Sequence, residues 1–313
     1  MSTLGLQPLD NNLHAQAAAA RPRNLTPGMR IGPNRLIRFL GEGAIAKVWA
    51  AIDQSQNRIA LKIYNLTDES HERLPQLEVG VFEYLKKFSS WHPNIVKYHG
   101  YGRTDNGELY LAMEQLEGRT LHDIISEGSL PIAEALRILK QVALAVNYLH
   151  EKGLMHGDLK TENIMICRDG SVKLIDLGFA GEFKKFTGGG TALYQAPEQL
   201  EKTQAMPRSE IFTLGAIFYM MIRREHPYHS GRPEIQTVSV YDAEVRGRMG
   251  KEELSPGIEN MPAYVRIFLK RMLDIEPGWR YRSMEEVTAA IDEVAKKLPA
   301  ENQTIIQFKS ILK

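Results

Sequence analysis

The 313-residue chain has the composition of an ordinary globular protein, with 43% hydrophobic and 25% charged residues. This balance excludes the disordered and fibrous classes of protein. The 39 lysines and arginines nearly equal the 38 aspartates and glutamates, which leaves a formal net charge of +1. The chain therefore lacks the basic excess of proteins that bind nucleic acids or anionic membranes, and we expect neither partner.

Cysteine content and hydropathy both favour a location in the cytoplasm. The single cysteine, Cys167, cannot form a disulfide within the chain, so nothing requires an oxidising compartment. The longest nearly apolar runs, at 142–149 and 211–222, are shorter than the roughly 20 residues that cross a bilayer. We therefore expect no membrane span and a cytoplasmic protein. The alternative is a bacterial protein that is delivered into a host cell.

The character of the sequence changes along the chain and predicts how the chain is organised. The first residues mix polar residues with a short alanine run and show no periodic pattern, which predicts a disordered leader over 1–28. One folded region over 29–297 and a C-terminal extension over 298–313 follow. Within the folded region we expect a strand-rich lobe over 29–113, a connecting segment over 114–118 and a mainly helical lobe over 119–297.

Short runs rich in β-branched and aromatic residues, separated by turn formers, predict an antiparallel sheet in the first lobe. A helical stripe made of Leu77, Val81, Phe82 and Leu85 interrupts these runs and predicts a helix over 71–88. The strands are predicted at 34–40, 47–52, 58–64, 95–101 and 108–113.

Helical periodicity dominates the second lobe. Pro131 is predicted in the first turn of a long amphipathic helix, and the apolar run 211–222 predicts a helix that is buried all round. Asp169 and Gly170 mark the turn of a short hairpin over 163–175. The sequence thus predicts an α+β, bilobal fold, and a crevice between two lobes is a common place for a ligand.

Two features of the first lobe have the chemistry of a phosphate site. After Leu40, the residues Gly41 and Gly43 stand between two predicted strands, a spacing that serves either an ordinary turn or a loop whose amides contact phosphate oxygens. Lys62 follows Ala60 on the next strand. It is either an exposed strand lysine or a buried ammonium that needs an anion, such as a phosphate together with a helix carboxylate.

Acidic and amide side chains follow at defined places in the second lobe. Asp158 and Asn163 come soon after the long helix, and Asp176 follows the hairpin. An acid, an amide oxygen and a second acid on consecutive loops can converge on Mg²⁺, which prefers hard oxygen ligands. One such aspartate is commonplace on a surface. The ordered set, placed after a glycine turn and a strand lysine, is hard to obtain by chance.

Over about 31–295 the chain resembles the eukaryotic-type protein kinase family, and most of all its Ser/Thr branch. Five motifs of that family occur here in the family's order. They are Gly41-x-Gly43…Val48 in the nucleotide-covering loop, Ala60-x-Lys62, His156-Gly-Asp158…Asn163 in the catalytic loop, Asp176-Leu-Gly178 in the metal-binding motif, and Ala196-Pro-Glu198.

The resemblance implies an enzyme that uses ATP and Mg²⁺, with Mn²⁺ as an alternative metal, to phosphorylate serine and threonine hydroxyls of protein substrates. Lys62 would bind the α- and β-phosphates. Asp158 would orient the substrate hydroxyl or accept its proton, and Lys160 would neutralise charge that develops on the γ-phosphoryl group. Asn163 and Asp176 would hold the metal ions.

The resemblance also implies an adenine site and a glutamate partner for Lys62. Glu78 is the expected partner because its spacing puts the apolar side chains of the predicted helix on the core side. Glu83 is the alternative because it stands at the family's usual separation from His92. Besides Lys62 and Glu78, the residues expected around the nucleotide are Leu40, Gly41, Gly43, Val48, Ala60, Met113, Glu114, Leu116 and Met165.

Four positions depart from the family pattern, and two of them, Leu177 for Phe and Ala46 for Gly, are mild changes. Gly157 replaces the arginine that pairs with a phosphate on the activation segment, so we expect activity that does not depend on a phosphate read at this position. Glu210 stands where the family usually has an aspartate that hydrogen-bonds the catalytic loop. One alternative function is therefore a pseudokinase or scaffold module. The other is a small-molecule phosphotransferase, because His-Gly-Asp-Leu also opens the catalytic loop of aminoglycoside and choline kinases.

The activation segment, which the resemblance places over Asp176–Glu198, carries three candidate phosphoacceptors. Thr187 is the expected modification site, because the family pattern places Thr191 against the catalytic Asp and Lys and Tyr194 near the substrate. A buried ion pair between Glu198 and Arg280 is expected to anchor the end of this segment.

Overall fold

The computed structural model describes residues 24–43, 45–64, 73–88, 90–104, 107–182, 191–200, 205–228 and 256–299. They divide into two compact units. The first unit holds the described residues up to Glu117 together with Asp176–Phe179, and the second holds Gly118–Ile175 and the described residues from Ala180 onward. Most of the expected leader and C-terminal extension, and the candidate phosphoacceptor Thr187, lie outside the described residues.

An antiparallel sheet and one helix make up the described part of the first unit. The described strands pair in the order β1-β2-β3-β4-β6-β5, so the sheet runs consecutively only as far as β4. The elements are β1 (Arg30–Ile31), β2 (Asn34–Glu42), β3 (Ala46–Ile52), β4 (Arg58–Tyr64), α1 (Arg73–Lys86), β5 (Tyr98–Arg103) and β6 (Leu109–Glu114).

The strand β4 separates the apolar core of the sheet from the functional side chains. Ile59, Leu61 and Ile63 belong to a buried cluster with Trp49 and other apolar residues of the sheet. Because successive side chains of a strand point to opposite faces, the residues between them, Lys62 among them, point to the other face.

The predicted strand 95–101 is wrong at its start, because β5 begins at Tyr98. Ile95 and Val96 are buried, as their apolar character suggests, but their carbonyls accept hydrogen bonds from the indole N–H of Trp91, at 3.2 and 3.1 Å. Regular pairing with β6 starts at Tyr98, which lies opposite Met113.

The second unit is mainly helical. Within the described ranges its strands form two small antiparallel sheets, β10-β9-β7 and β11-β8. The elements are β7 (Gly118–Thr120), α2 (Leu121–Glu127), α3 (Ile132–Glu151), β8 (Leu154–Met155), β9 (Ile164–Cys167), β10 (Val172–Leu174), β11 (Gly181–Glu182), α4 (Pro197–Leu200), α5 (Pro207–Arg223), α6 (Ala263–Met272) and α7 (Met284–Lys296).

The helix predicted over 211–222 is confirmed as part of α5, which is buried on every face from Ser209 to Met221. Pro131 was predicted one residue too far into α3. It is the N-cap, with extended ψ of 146°, and its carbonyl accepts the N–H of Ala135 at 2.9 Å. The α+β fold predicted from the sequence is confirmed. Among the described residues, no helix is both long enough and apolar enough to cross a membrane.

Candidate active site

The ammonium of Lys62 contacts two carboxylates within the first unit. Its Nζ lies 2.7 Å from Glu78 Oε2 on α1 and 2.9 Å from Asp176 Oδ1. Lys62 is only 9% exposed, so it is the buried, paired lysine of the two alternatives. Burial lowers the pKa of Lys62, but the two carboxylates outweigh this effect and raise the pKa above its ordinary value, so the ammonium remains charged.

The structure pairs Lys62 with Glu78 and places Glu83 elsewhere. The Glu83 side chain is 40% exposed and lies 3.7 Å from Lys86 on the same helix. Glu78, by contrast, is 1% exposed and accepts further hydrogen bonds from the hydroxyls of Tyr64 and, at 2.7 Å, Tyr98. A buried carboxylate is tolerated only when it is hydrogen-bonded, and this one has three donors.

Sheet register brings several residues expected around the nucleotide onto the face that carries Lys62. Val48 pairs with Lys62 across β3 and β4, and Ala60 pairs with Met113 across β4 and β6. Directly opposite residues share a face, and so do alternate residues of one strand, so these four side chains lie on one side of the sheet. Ala60 is buried, whereas Val48 and Met113 are half-buried.

The remaining nucleotide residues lie at the ends of strands and in loops. Gly41 belongs to β2 and pairs with Val48, and the amide of Gly43 donates to the carbonyl of Ala46 at 2.8 Å, which closes the turn before β3. Leu40 and Gly43 are exposed, and the rest are half-buried. These half-buried residues are Gly41, Glu114, Leu116 and, in the second unit, Met165 on β9.

Asp158 is the centre of a hydrogen-bonded group in the second unit. Its Oδ2 lies 2.7 Å from Lys160 Nζ, and its Oδ1 accepts the N–H and the hydroxyl of Thr191 at 2.8 and 3.0 Å. Lys160 also donates to Thr191 Oγ1 at 3.2 Å. The expected contacts of Thr191 with Asp158 and Lys160 are therefore present, and the carboxylate is held on both of its oxygens.

Asn163 is fixed by contacts with the same loop. Its Nδ2 donates to the backbone carbonyl of Asp158 at 2.8 Å and to Asp158 Oδ2 at 3.2 Å. Its backbone carbonyl accepts the N–H of Ile175 at 2.9 Å, at the open end of the predicted hairpin, which β9 and β10 form. The residue after Ile175 is Asp176, whose backbone has a left-handed φ of 61°.

The catalytic loop is tied to α5 through Gly157. The backbone N–H of Gly157 donates to Glu210 Oε1 at 2.9 Å, and Glu210 Oε2 lies 2.7 Å from His150 Nε2. Burial acts to raise the pKa of Glu210, but the hydrogen bond and charge of His150, the charge of His156 and the amide of Gly157 together lower it. Glu210 thus performs the backbone contact expected of a shorter aspartate.

Comparison with known sequences agrees with this geometry. The protein kinase domain family matches residues 35–290, which is more than half of the chain. The chain belongs to the protein kinase domain family. The matched range includes all of the residues predicted to be catalytic or metal-binding, which are Lys62, Asp158, Lys160, Asn163 and Asp176.

Several curated relatives are similar to this kinase domain. The serine/threonine-protein kinase pak-1 of Caenorhabditis elegans is 29% identical over 88% of this chain and 47% of its own length. The serine/threonine-protein kinase STE20 of Saccharomyces cerevisiae is 29% identical over 79% of this chain and 26% of its own. A probable serine/threonine-protein kinase of Clostridium perfringens is 28% identical over 83% and 38%. The chain thus spans about a quarter to a half of these relatives.

The ion pair predicted between Glu198 and Arg280 is present in this kinase domain and is buried. Arg280 Nη1 and Nη2 lie 2.7 and 2.8 Å from the two carboxylate oxygens of Glu198, and Ser209 Oγ donates to the same carboxylate at 2.6 Å. The pair joins α4, at the end of the activation segment, to the segment before α7.

Sequence reasoning missed three residues that hold the site. Tyr64 and Tyr98 bind Glu78, and His150 binds Glu210. Tyr64 had a local signal, because it stands two residues beyond Lys62 on one strand and so shares its face. Tyr98 and His150 had none, because their partners lie 20 and 60 residues away.

Proposed function

We propose that this kinase domain transfers the γ-phosphoryl group of ATP to serine and threonine hydroxyls of protein substrates. The observation that carries the proposal is the 2.7 Å pair of Asp158 and Lys160. A carboxylate for the substrate hydroxyl beside an ammonium for the phosphoryl charge is the combination that phosphoryl transfer requires. The printed names of the relatives, which are serine/threonine-protein kinases, support both the chemistry and the class of substrate.

The donor atoms of the site fit ATP and Mg²⁺. Asn163 uses its side-chain nitrogen on Asp158 and has an amide oxygen as its other polar atom, and the Asp176 carboxylate is 41% exposed. Among the described residues, no group of three or more His, Cys, Asp or Glu side chains could hold a metal ion alone. Two protein oxygens supplemented by phosphate oxygens are typical of Mg²⁺, for which Mn²⁺ is the alternative. When bound, ATP and the metal supply the phosphoryl group and neutralise part of its charge.

We propose the following roles for the side chains in phosphoryl transfer. Lys62, oriented by Glu78, binds the α- and β-phosphates, and Asn163 and Asp176 hold the metal. Asp158 orients the substrate hydroxyl and takes up its proton, while Lys160 faces the charge that develops on the transferred group. The adenine and the phosphate chain would rest on Leu40, Gly41, Gly43, Val48, Ala60, Met113, Glu114, Leu116 and Met165.

A pseudokinase lacks support, because each residue needed for transfer is of the type the chemistry requires. The small-molecule alternative also lacks support, because the reported relatives are named as protein kinases. We propose the cytoplasm as the location, because ATP is available there and a chain with one cysteine, Cys167, requires no oxidising compartment for an internal disulfide.

The test is transfer of labelled phosphate from ATP to a generic basic protein in the presence of Mg²⁺, followed by phosphoamino-acid analysis. We expect phosphoserine and phosphothreonine, and a loss of about 100-fold or more in Asp158→Asn, because a general base contributes about 10²–10⁴-fold. Asp169→Asn is the matched control, since Asp169 lies in the exposed hairpin turn, where Ser171 binds it. Wild-type transfer no greater than that of Asp158→Asn would contradict the proposal, as would labelling of an aminoglycoside or choline panel in place of protein.

A further inference from the structure

We propose that Tyr64 and Tyr98 are positioning residues that keep Glu78 paired with Lys62, so that the lysine is set for phosphate before ATP binds. We call these two hydroxyls and the carboxylate they hold the tyrosine clamp. The inference rests on the proposed function, because it assigns the clamp a purpose in ATP binding. It goes beyond that function by assigning a role to two residues whose hydroxyls contact Glu78.

The hydrogen bonds of Glu78 are divided among three donors. Tyr64 and Lys62 both donate to Oε2, and Tyr98 donates to Oε1 at 2.7 Å. Without the tyrosines, Oε1 would have no donor among the described contacts, although Glu78 is 1% exposed. A buried carboxylate oxygen without a donor would favour a movement of α1 that exposes this oxygen to water. By donating to Glu78, the tyrosines oppose such a movement.

The two tyrosines reach Glu78 from different strands. Tyr64 lies on the interior strand β4, on the same face as Lys62, and Tyr98 is the first residue of β5, which is an edge strand of the sheet. Burial, and then the negative charge of Glu78, raise the pKa of both hydroxyls well above the ordinary value of 10, so both remain protonated donors. Because the two hydroxyls are neutral, they hydrogen-bond the Glu78 carboxylate while Lys62 remains the cation that is paired with it.

Aromatic packing connects the clamp to the rest of α1. The ring of Phe82, one turn beyond Glu78, lies 5.7 Å from Tyr98, 6.4 Å from Trp91 and 6.2 Å from Tyr101. The helix is therefore attached to the sheet by ring contacts and by two hydroxyl bonds, none of which involves a phosphate. An attachment that needs no phosphate is consistent with the glycine at position 157, because a glycine has no cation with which to bind a phosphate.

The experiment uses the full chain with Tyr64→Phe, Tyr98→Phe and the double variant. We call α1 attached when Glu78 is paired with Lys62 and detached when this pair is broken. Each charge-assisted hydrogen bond to Glu78 that is lost shifts the equilibrium towards the detached state roughly tenfold or more. We expect amide hydrogen exchange over residues 73–86 to quicken about tenfold in each single variant. In the double variant we expect KM for ATP to rise about tenfold while kcat at saturating ATP stays within about twofold, because ATP selects the attached state.

Tyr101→Phe is the matched control, because it removes a hydroxyl from the same aromatic cluster but not from Glu78, and it should leave exchange and KM unchanged. A merely structural role would lower kcat through loss of folded protein and leave KM alone, and that outcome overturns the proposal. Unchanged exchange in both single variants, or an unchanged KM in the double variant, also overturns it. If the wild type transfers no phosphate, the kinase proposal fails separately, and amide exchange alone then decides whether the clamp holds α1.

Discussion

Glu210 accepts the backbone N–H of Gly157 at 2.9 Å and thereby ties the residue before Asp158 to the first turn of α5. The same carboxylate binds His150 at 2.7 Å with its other oxygen. One side chain thus connects two helices and the catalytic loop. Because the Glu210 carboxylate is buried and both of its oxygens are hydrogen-bonded, its charge contributes to the stability of the second unit.

The first prediction concerns the pH dependence of this contact. The folded-state pKa of Glu210 lies below its ordinary value of 4.5, so its contribution to stability is present above that value and is lost as pH falls through the folded pKa. We expect Glu210→Gln to lower the free energy of unfolding by about 1–2 kcal/mol at neutral pH. The gap to the wild type should narrow as the pH falls below 4.5.

Urea unfolding over a series of pH values measures this gap. Glu276→Gln is the control, because Glu276 is exposed and its change should cost less than about 0.5 kcal/mol at any pH. A gap that stays constant into the acid range would show that the charge of Glu210 does not stabilise the fold.

The second prediction separates the catalytic and structural roles of Lys62. We expect Lys62→Met to abolish phosphoryl transfer and also to destabilise the protein by about 3 kcal/mol, because it removes the cation from a buried carboxylate. Lys47→Met on the neighbouring strand is the control, since Lys47 and its partner Glu42 are 3.6 Å apart and partly exposed. That pair should contribute less than about 1 kcal/mol. Equal losses of stability in both variants would argue that the Lys62 pair has no structural part.

The third prediction is that Arg280→Met unfolds far more easily than the wild type. The guanidinium forms a two-point contact with Glu198 and also donates to the carbonyls of Arg208, Asp274 and Ile275. Removing it leaves a buried carboxylate and three carbonyls without this donor, a change that costs about 3–5 kcal/mol. Chemical denaturation against Arg282→Met, which changes an exposed arginine two residues away, measures the effect. A loss below about 1 kcal/mol would contradict it.

The fourth prediction follows from the backbone at Gly157, where φ is 83°. A side chain at such an angle is strained, so Gly157→Ala should cost about 1–3 kcal/mol. Gly278→Ala is the matched control, because that glycine has open space around its Cβ position and no left-handed φ. Thermal unfolding of the two variants would show the difference, and equal midpoints would mean that the loop relaxes without cost.

The fifth prediction is that kinase activity survives removal of phosphate. Gly157 carries no cation to pair with a phosphorylated activation segment, and Glu78 is held by Tyr64 and Tyr98 without one. We expect phosphatase-treated protein to retain at least about half of its rate on a basic protein substrate, with mass spectrometry to verify dephosphorylation. A fall of more than about tenfold would show that another residue reads the phosphate.

Much of the fold could be predicted because its signals are local. The run of β-branched and aromatic residues in β4, the helical stripe of α1 and the apolar length of α5 each lie within a short window, and each of these elements appears in the structure. The error at the start of β5 occurred at a boundary, which depends on the partner strand. β5 pairs with β6 from Tyr98, opposite Met113, and so it begins later than the apolar run does.

The sequence by itself was enough to recognise the family motifs, including those that contain Lys62 and Asp158. Each motif is a set of residue types at short spacings, so it can be found without knowledge of the fold. Only the tertiary structure decided that Glu78 pairs with Lys62, that Tyr98 completes its hydrogen bonds and that His150 meets Glu210. These contacts depend on strand register and on how helices pack. Strand register and helix packing are set by burial of the whole core. No pattern within a short stretch of sequence reports which distant residues will meet.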